Sequence, residues 1–406
     1  MCNFYLLRGG IFCMKVNSNL KLTEKDKEKA ILFLQELIRI NSTNPVGNEL
    51  EVATVIKKYT DQTGLHIDIQ PFEEKRGNVL VHLKGKNSKL KPLVFSGHLD
   101  TVPVGDTPWT YDPHSADIID GRIYGRGACD MKSGVASMLM SMLLLNESGN
   151  LPEADVIFAG TAGEEIGCLG ASKLVQARNI NDAGGMVIGE PSNGSVYIAH
   201  KGALWLKIIT YGRNAHGSMP EKGINAILHM NEVINRLKQG NIFDETDHKL
   251  LGKPTLNIGS VQGGVQTNIV PDQCNVTVDI RTIPGIKHSE IIRNVHHILE
   301  ELQEEIEDFQ VEVEVMQDLP PLENPTCDFV QLAQQINHDL FGATMSDRGV
   351  NYFTDGSIFN ESLSIPIIIY GPGNEKMAHQ TDEYVDVKQY LNSIHFYKEF
   401  ALNYKG

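Results

Sequence analysis

No two cysteines in this 406-residue chain stand in a C-x-x-C arrangement. The six present, Cys2, Cys13, Cys129, Cys168, Cys274 and Cys327, are scattered. That spacing suits neither a disulfide framework nor a cysteine zinc site, and it points to a reducing, cytoplasmic compartment. No apolar run reaches the roughly 18 residues that a spanning helix needs, so no membrane segment is expected. Positive charge is also scarce: 36 Lys and Arg stand against 51 Asp and Glu, for a net −15. A nucleic-acid or anionic-membrane partner calls for a basic face, and this balance argues against both. Internal repeats and low-complexity segments are missing as well. The opening MCNFYLLRGGIFCMKVNS lacks a basic leading region and a small-residue cleavage site, so it reads as neither signal nor anchor. Its Leu-Arg-Gly-Gly is what a purine-rich ribosome-binding site spells when translated, which makes Met14 a candidate start beside Met1.

What is there is the composition of a globular protein, 41% hydrophobic and 21% charged, at a length that favours two domains. The stretch IYGRGACDMKSG (residues 123–134) has the glycines and the Lys-Ser pair of a phosphate cradle, but not the spacing. Counting back from Lys132, the two glycine positions of a P-loop hold Met131 and Arg126. The glycines surround an aspartate instead, Asp130, just ahead of a helix.

Residues 23–41 begin with Thr and acidic residues and carry apolar residues at helical spacing, a capped first helix. A β-rich segment follows, with the strands NVLVHLKG and PLVFSGHLD. Then come a helix in SGVASMLMSMLLLNESG, a strand in ADVIFAGTAGEE, a helix in GASKLVQARNI and a strand in GGMVIGEPS. This alternation predicts a three-layer α/β sheet with parallel pairs. From about residue 200 the order becomes βαββαβ, the split-βαβ unit, closed by the Pro-rich DLPPLENP. Helices and the apolar strand SIPIIIY return after it. The expected organisation is an α/β domain of residues 15–199 and 317–406, interrupted by an inserted domain of residues 200–316.

Groups able to hold a metal collect where the strands of the first domain end. His98 and Asp100 in SGHLD point to one side of an extended chain, where the carboxylate can accept the spare imidazole N–H and fix its tautomer. A surface turn is the plainer alternative. Asp130 sits in its glycine turn, where the plainer role is helix N-cap. Glu164 and Glu165 lie between glycines in GTAGEEIG, Glu190 precedes a proline in IGEPS, and His379 lies in GPGNEKMAHQTDEY. Ligands gather at the carboxyl ends of strands in open α/β sheets. Imidazole with carboxylate suits zinc or a similar divalent ion. Five ligands exceed one tetrahedral site and match two ions sharing a carboxylate.

With SGHLDTVP, YGRGACDMKSG, TAGEEIG, IGEPS, GRNAHGSMPEKGINA and MAHQTDEY in this order, the chain resembles the dinuclear zinc peptidases and deacylases that include succinyl-diaminopimelate desuccinylase, acetylornithine deacetylase, aminoacylase and glutamate carboxypeptidase. The resemblance spans residues 25 to 405. It implies a zinc-peptidase-like catalytic domain with an inserted ferredoxin-like lid and dimerisation domain. It implies two Zn2+ per subunit, for which Co2+ or Mn2+ can substitute. Asp130 would bridge them, with His98 and Glu190 on one ion and Glu165 and His379 on the other. Asp100 would support His98, Glu164 would be the general base, and the Asp130–Met131 bond would be cis. His216 in GRNAHGS would cross to a partner's active site to bind the oxyanion, which implies a homodimer. Arg281 in VDIRTIPG would grip a substrate carboxylate bidentately, Asn268 would assist it, and Asp355, Gly356 and Gly371 would line the acyl pocket.

The expected reaction is removal of the acyl group from an N-acyl amino acid. IGEPS and YGRGACDMKSG lean to the desuccinylases, and YIAHKG and GPGNEKMAHQTDEY to acetylornithine deacetylase; the desuccinylase is the first choice. Other N-acyl-amino-acid deacylases, then carboxypeptidases and dipeptidases, are the alternatives. A non-catalytic scaffold is the alternative of another class, disfavoured because all five ligands and Glu164 are present.

Overall fold

The apolar runs LVFSGH, VIFAGT, GMVI and III form the strands Leu93–His98, Val156–Thr161, Gly185–Ile188 and Ile367–Ile369, every residue of them buried. They run parallel and occupy one side of a six-stranded sheet, which Gly77–Leu83 and His66–Pro71 complete as antiparallel strands. Burial on both faces is why these runs are apolar throughout rather than alternating. The computed structural model describes residues 21–406 apart from 241, 244 and 245, and the backbone of Asn3–Leu7 and Gly10–Met14, which pair as antiparallel strands. Met1, one of the two candidate starts, lies outside the described residues.

The helix Lys132–Ser148 packs on the Leu93–His98 strand and beneath the helices Glu24–Arg39 and Val387–Asn403. Its residues from Lys132 to Leu145 are all buried, as expected of a helix apolar all round. Glu24–Arg39 opens with a capping box, in which Thr23 Oγ1 accepts from Asp26 N–H and the Asp26 carboxylate from Thr23 N–H. The β-rich reading fails at ELEVATVIKKYTD, which is a helix, Glu49–Asp61. Its Val, Thr and Ile favour strands. Its buried residues Val52, Ala53, Ile56, Tyr59 and Thr60 nonetheless recur at helical spacing, and they pack on the two antiparallel strands.

Contacts divide the chain into two units: Met1–Ile198 with Asn324–Arg348 and Thr354–Gly406, and Ala199–Glu323 with Gly349–Phe353. The second unit holds a four-stranded antiparallel sheet in the order Thr255–Gly263, Gln273–Thr282, Gly202–Tyr211, Gln310–Leu319. Alternate residues of the two central strands face the helices Ala226–Gln239 and His288–Glu305 across one apolar core. The predicted boundary at residue 316 falls inside the last of these strands. The chain leaves the unit only after Leu322–Glu323, which pairs with Ala199–His200, and Gly349–Val350 joins the same ladder. Two-residue strands leave no periodicity to read. Among the described residues no helix is long and apolar enough to cross a membrane.

Candidate metal centre

The four parallel strands end at one edge because their registers run in step: His98 faces Thr161, and Ser96 and Ile369 each face Ile188. His98 closes its strand. Glu164 and Glu165 follow Thr161, Glu190 follows Ile188, and His379 lies in the loop after Ile369. Asp130 enters from the turn before the buried helix. It is not the helix cap, since Met131 holds that position and no side chain caps it.

The Asp130 carboxylate instead looks both ways. Its Oδ1 is 3.0 Å from His98 Nε2, and its Oδ2 is 3.3 Å from His379 Nε2. Glu190 Oε1 lies 3.6 Å from His98 Nε2, and Glu165 Oε1 lies 3.2 Å from His379 Nε2. Two triads result, His98–Asp130–Glu190 and Asp130–Glu165–His379, each with its donor atoms within 4.8 Å of one another. One imidazole and two carboxylates per triad, with one oxygen of a shared carboxylate turned to each, is a donor set that fits two borderline divalent cations. Glu164 belongs to neither triad. The Asp130–Met131 peptide is cis. His379 has a left-handed backbone, φ 64°, a conformation that concentrates at functional sites.

Burial sets the electrostatics. It raises Glu164 well above the carboxylate range, and the charges of Glu190 and Glu165 add to it against the pull of His98. Burial, then the neighbouring Asp130, does the same to Glu190. Burial also works to raise Asp130, but hydrogen bonds from His379 and His98 outweigh it and hold that acid well below its usual range. Hydrogen bonds to Asp130 and Glu165 push His379 up to about 11. Four crowded carboxylates with only imidazoles between them call for cationic charge at their centre.

A family model described as "Peptidase family M20/M25/M40" matches residues 94–403. The chain belongs to this family. It is a metal-dependent hydrolase. A probable succinyl-diaminopimelate desuccinylase of Staphylococcus aureus (strain N315) is 28% identical, over 94% of this chain and 98% of the relative. Among solved structures, a tripeptidase from Staphylococcus aureus shares 25% identity at a TM-score of 0.72, covering 92% of this chain and 98% of that one. A dinuclear metal binding M20 peptidase from Bacillus subtilis shares 18% at a TM-score of 0.71, covering 94% and 98%.

In this M20 hydrolase Asp100 works differently from the expectation. His98 Nδ1–H donates to the Asp100 main-chain carbonyl at 3.0 Å, while the Asp100 carboxylate stands 3.6 Å away. That carboxylate accepts instead from the N–H groups of Glu164 and Glu165, at 3.1 and 3.2 Å, and from Asn44 Nδ2 at 2.7 Å. Asp100 therefore clamps the backbone of the Glu164–Glu165 pair. Asn44 Oδ1 in turn accepts from Arg76 at 2.7 Å, and Arg76 pairs with Glu49 at 2.8 Å. All three side chains are buried. They went unread because each is remote in sequence from the strand-end motifs. Lys132, of the false phosphate cradle, is buried and donates to the carbonyls of Leu37 and Ile40, tying down the end of the first helix.

Asp355, Gly356 and Gly371 are all buried. Asp355 accepts from the Thr161 hydroxyl at 2.6 Å, and its charge is among those that raise Glu164. Gly371 lies so close to the Gly189 and Glu190 carbonyls that a Cβ would overlap them. It seats the Glu190 loop.

The remaining expected residues belong to the second unit. His216 is exposed, with Nδ1 2.8 Å from Ser218 Oγ. Its loop pairs with that of Asn268, whose carbonyl accepts from Gly217 N–H at 2.8 Å. Arg281 lies over the Phe353 ring, 5.5 Å from its centroid, with Nε 3.0 Å from Asp279 Oδ1. The register puts these groups at opposite ends of the sheet: Ala203 faces Arg281, while Tyr211, just before the His216 loop, faces Gln273. The strand between spans about 27 Å at roughly 3.4 Å per residue. Within one chain Asn268 and Arg281 do not meet.

Proposed function

We propose that this chain is a two-zinc amidohydrolase that removes the acyl group from an N-acyl amino acid, with succinyl-diaminopimelate as the first-choice substrate. The observation that carries the reading is the pair of triads sharing Asp130, with a buried glutamate, Glu164, beside both and part of neither. Bound divalent cations supply Lewis acidity toward the amide carbonyl and lower the proton affinity of the attacking water. With cations held in the two triads, Glu164 would stand ionised and ready to take a proton. Glu164 accepts the proton of the attacking water and delivers it to the leaving nitrogen. The Asp100 clamp on its backbone fixes where that carboxylate stands. A scaffold without catalysis has no use for such a base held next to two complete triads.

The substrate class rests on the desuccinylase named among the relatives and on Arg281, whose guanidinium fork suits a carboxylate. His216 and Asn268, a strand's length from Arg281, serve a site with it only if a second copy presents them. A homodimer with shared active sites is therefore part of the proposal. The edge strand Thr255–Gly263 with exposed Val261, and Val265 and Leu228 beside it, offers that second copy an apolar face.

A peptidase reading is the second choice, favoured by the tripeptidase likeness at 25% identity. Zinc-loaded protein assayed on succinyl-diaminopimelate, acetylornithine and a small peptide panel decides between them. Hydrolysis of the acylated amino acids supports the proposal, and turnover of peptides alone overturns it.

A further inference from the structure

We propose that Glu383 is the positioning residue that holds the shared ligand Asp130 and keeps it in register with His379. It rests on the metal-centre reading above but is separable from it. Glu383 is fully buried, and both carboxylate oxygens are engaged. Oε1 accepts from Cys129 N–H at 2.7 Å and Asp130 N–H at 2.9 Å. Oε2 accepts from Gly127 N–H at 3.1 Å and Arg126 Nη1 at 2.6 Å. The Glu383 main-chain carbonyl takes Gly125 N–H at 2.9 Å. The turn from Gly125 to Asp130 is thus wrapped round one residue.

Neither helix nor sheet supplies partners for these N–H groups, and buried main-chain donors left unpaired are costly. The glycines let the turn bend, and Glu383 selects which bend it takes. The same contacts join two ligands. Glu383 follows His379 by one short stretch of chain, and Arg126 also donates to the carbonyl of Gln380, the residue after His379, at 3.3 Å. The loop that carries Asp130 and the loop that carries His379 become one hydrogen-bonded body. Glu383 belongs to neither triad. Its carboxylate hydrogen-bonds to Arg126 and to main-chain N–H groups, that of Asp130 among them, and to no donor atom of either triad, so its role is to place Asp130 and His379.

Outer partners of metal ligands set affinity by about 10–100-fold, and that is the readout. The full-length metal-free protein, Glu383→Gln and Glu383→Asp are titrated with Co2+. Uptake is followed by calorimetry and by the cobalt d–d absorption bands, at a temperature where circular dichroism reports on folding of each metal-free variant. The expected result is a Glu383→Gln protein that is folded without metal but binds Co2+ at least about tenfold more weakly, with an altered spectrum. Glu383→Asp, which keeps the charge, falls between it and the wild type. A folded Glu383→Gln that takes up two Co2+ with unchanged affinity and spectrum overturns the proposal. So does unfolding of both metal-free variants, because Glu383 then serves the fold alone. Failure of the wild type itself to bind two ions is a different result, and it removes the metal-centre reading instead.

Discussion

The division of labour between Glu164 and Glu165, neighbours in sequence, rests on direction alone. Glu165 reaches His379 and the second triad, whereas Glu164 joins neither. Glu164→Gln should therefore keep its full metal content, measured by atomic emission, and lose roughly 10²–10⁴-fold in kcat. Asn44→Ala should act one step further out. It removes a donor from Asp100 and an acceptor from Arg76, for about 1–3 kcal/mol of stability measured by urea unfolding; kcat should fall more than KM rises. A third residue speaks through pH. His200 is buried, donates from Nδ1 to the Lys201 carbonyl at 2.8 Å, and is held down to about 4 by burial. Between pH 6.5 and 4 the unfolded chain binds a proton that the native one refuses, so stability falls as pH falls through that window. His200→Gln should flatten this fall by up to about 3 kcal/mol in urea midpoints taken across it. The ligands were legible in the sequence because glycine and strand-end context mark them. Asn44, Arg76, Glu49 and Glu383 were not, because a buried hydrogen-bond partner carries no mark of its own outside the fold.

Elements carry the ligands into place by close approach. The helix Lys132–Ser148 lies against the Glu190 loop so tightly that a Cβ on Gly134 would overlap the Gly189 carbonyl. Gly→Ala in a helix ordinarily gains roughly 1 kcal/mol. Gly134→Ala should instead lose about 1–3 kcal/mol by overpacking, seen as a lower melting midpoint, and should weaken the His98–Glu190 site before the other. The continuous apolar runs announced the parallel strands, and the βαββαβ order announced the second unit. The helix Glu49–Asp61 stayed hidden because its β-branched residues argue for a strand until its packing partners are known. The two-residue ladder of Ala199–His200 with Leu322–Glu323 and Gly349–Val350 was invisible, being shorter than any period.

For the whole molecule, the strand's length between Arg281 and the His216–Asn268 loops makes a shared site a matter of two copies. Glu164→Gln and His216→Ala, each inactive alone, should complement when co-expressed with different tags. One intact site per mixed dimer gives roughly a quarter of wild-type activity in a random mixture, and no recovery would place His216 outside the partner's site. Chelation should abolish activity, and restored metal should raise the melting midpoint, since ions that bind only the native state stabilise it. The direct measurement is the number of Zn2+ ions taken up per chain by the metal-free wild type, Asp130→Asn and Glu190→Gln, read by calorimetry and atomic emission. The expected numbers are two, none held tightly, and one. A single ion in the wild type, or an Asp130→Asn protein that still holds one tightly, would contradict the shared two-ion centre.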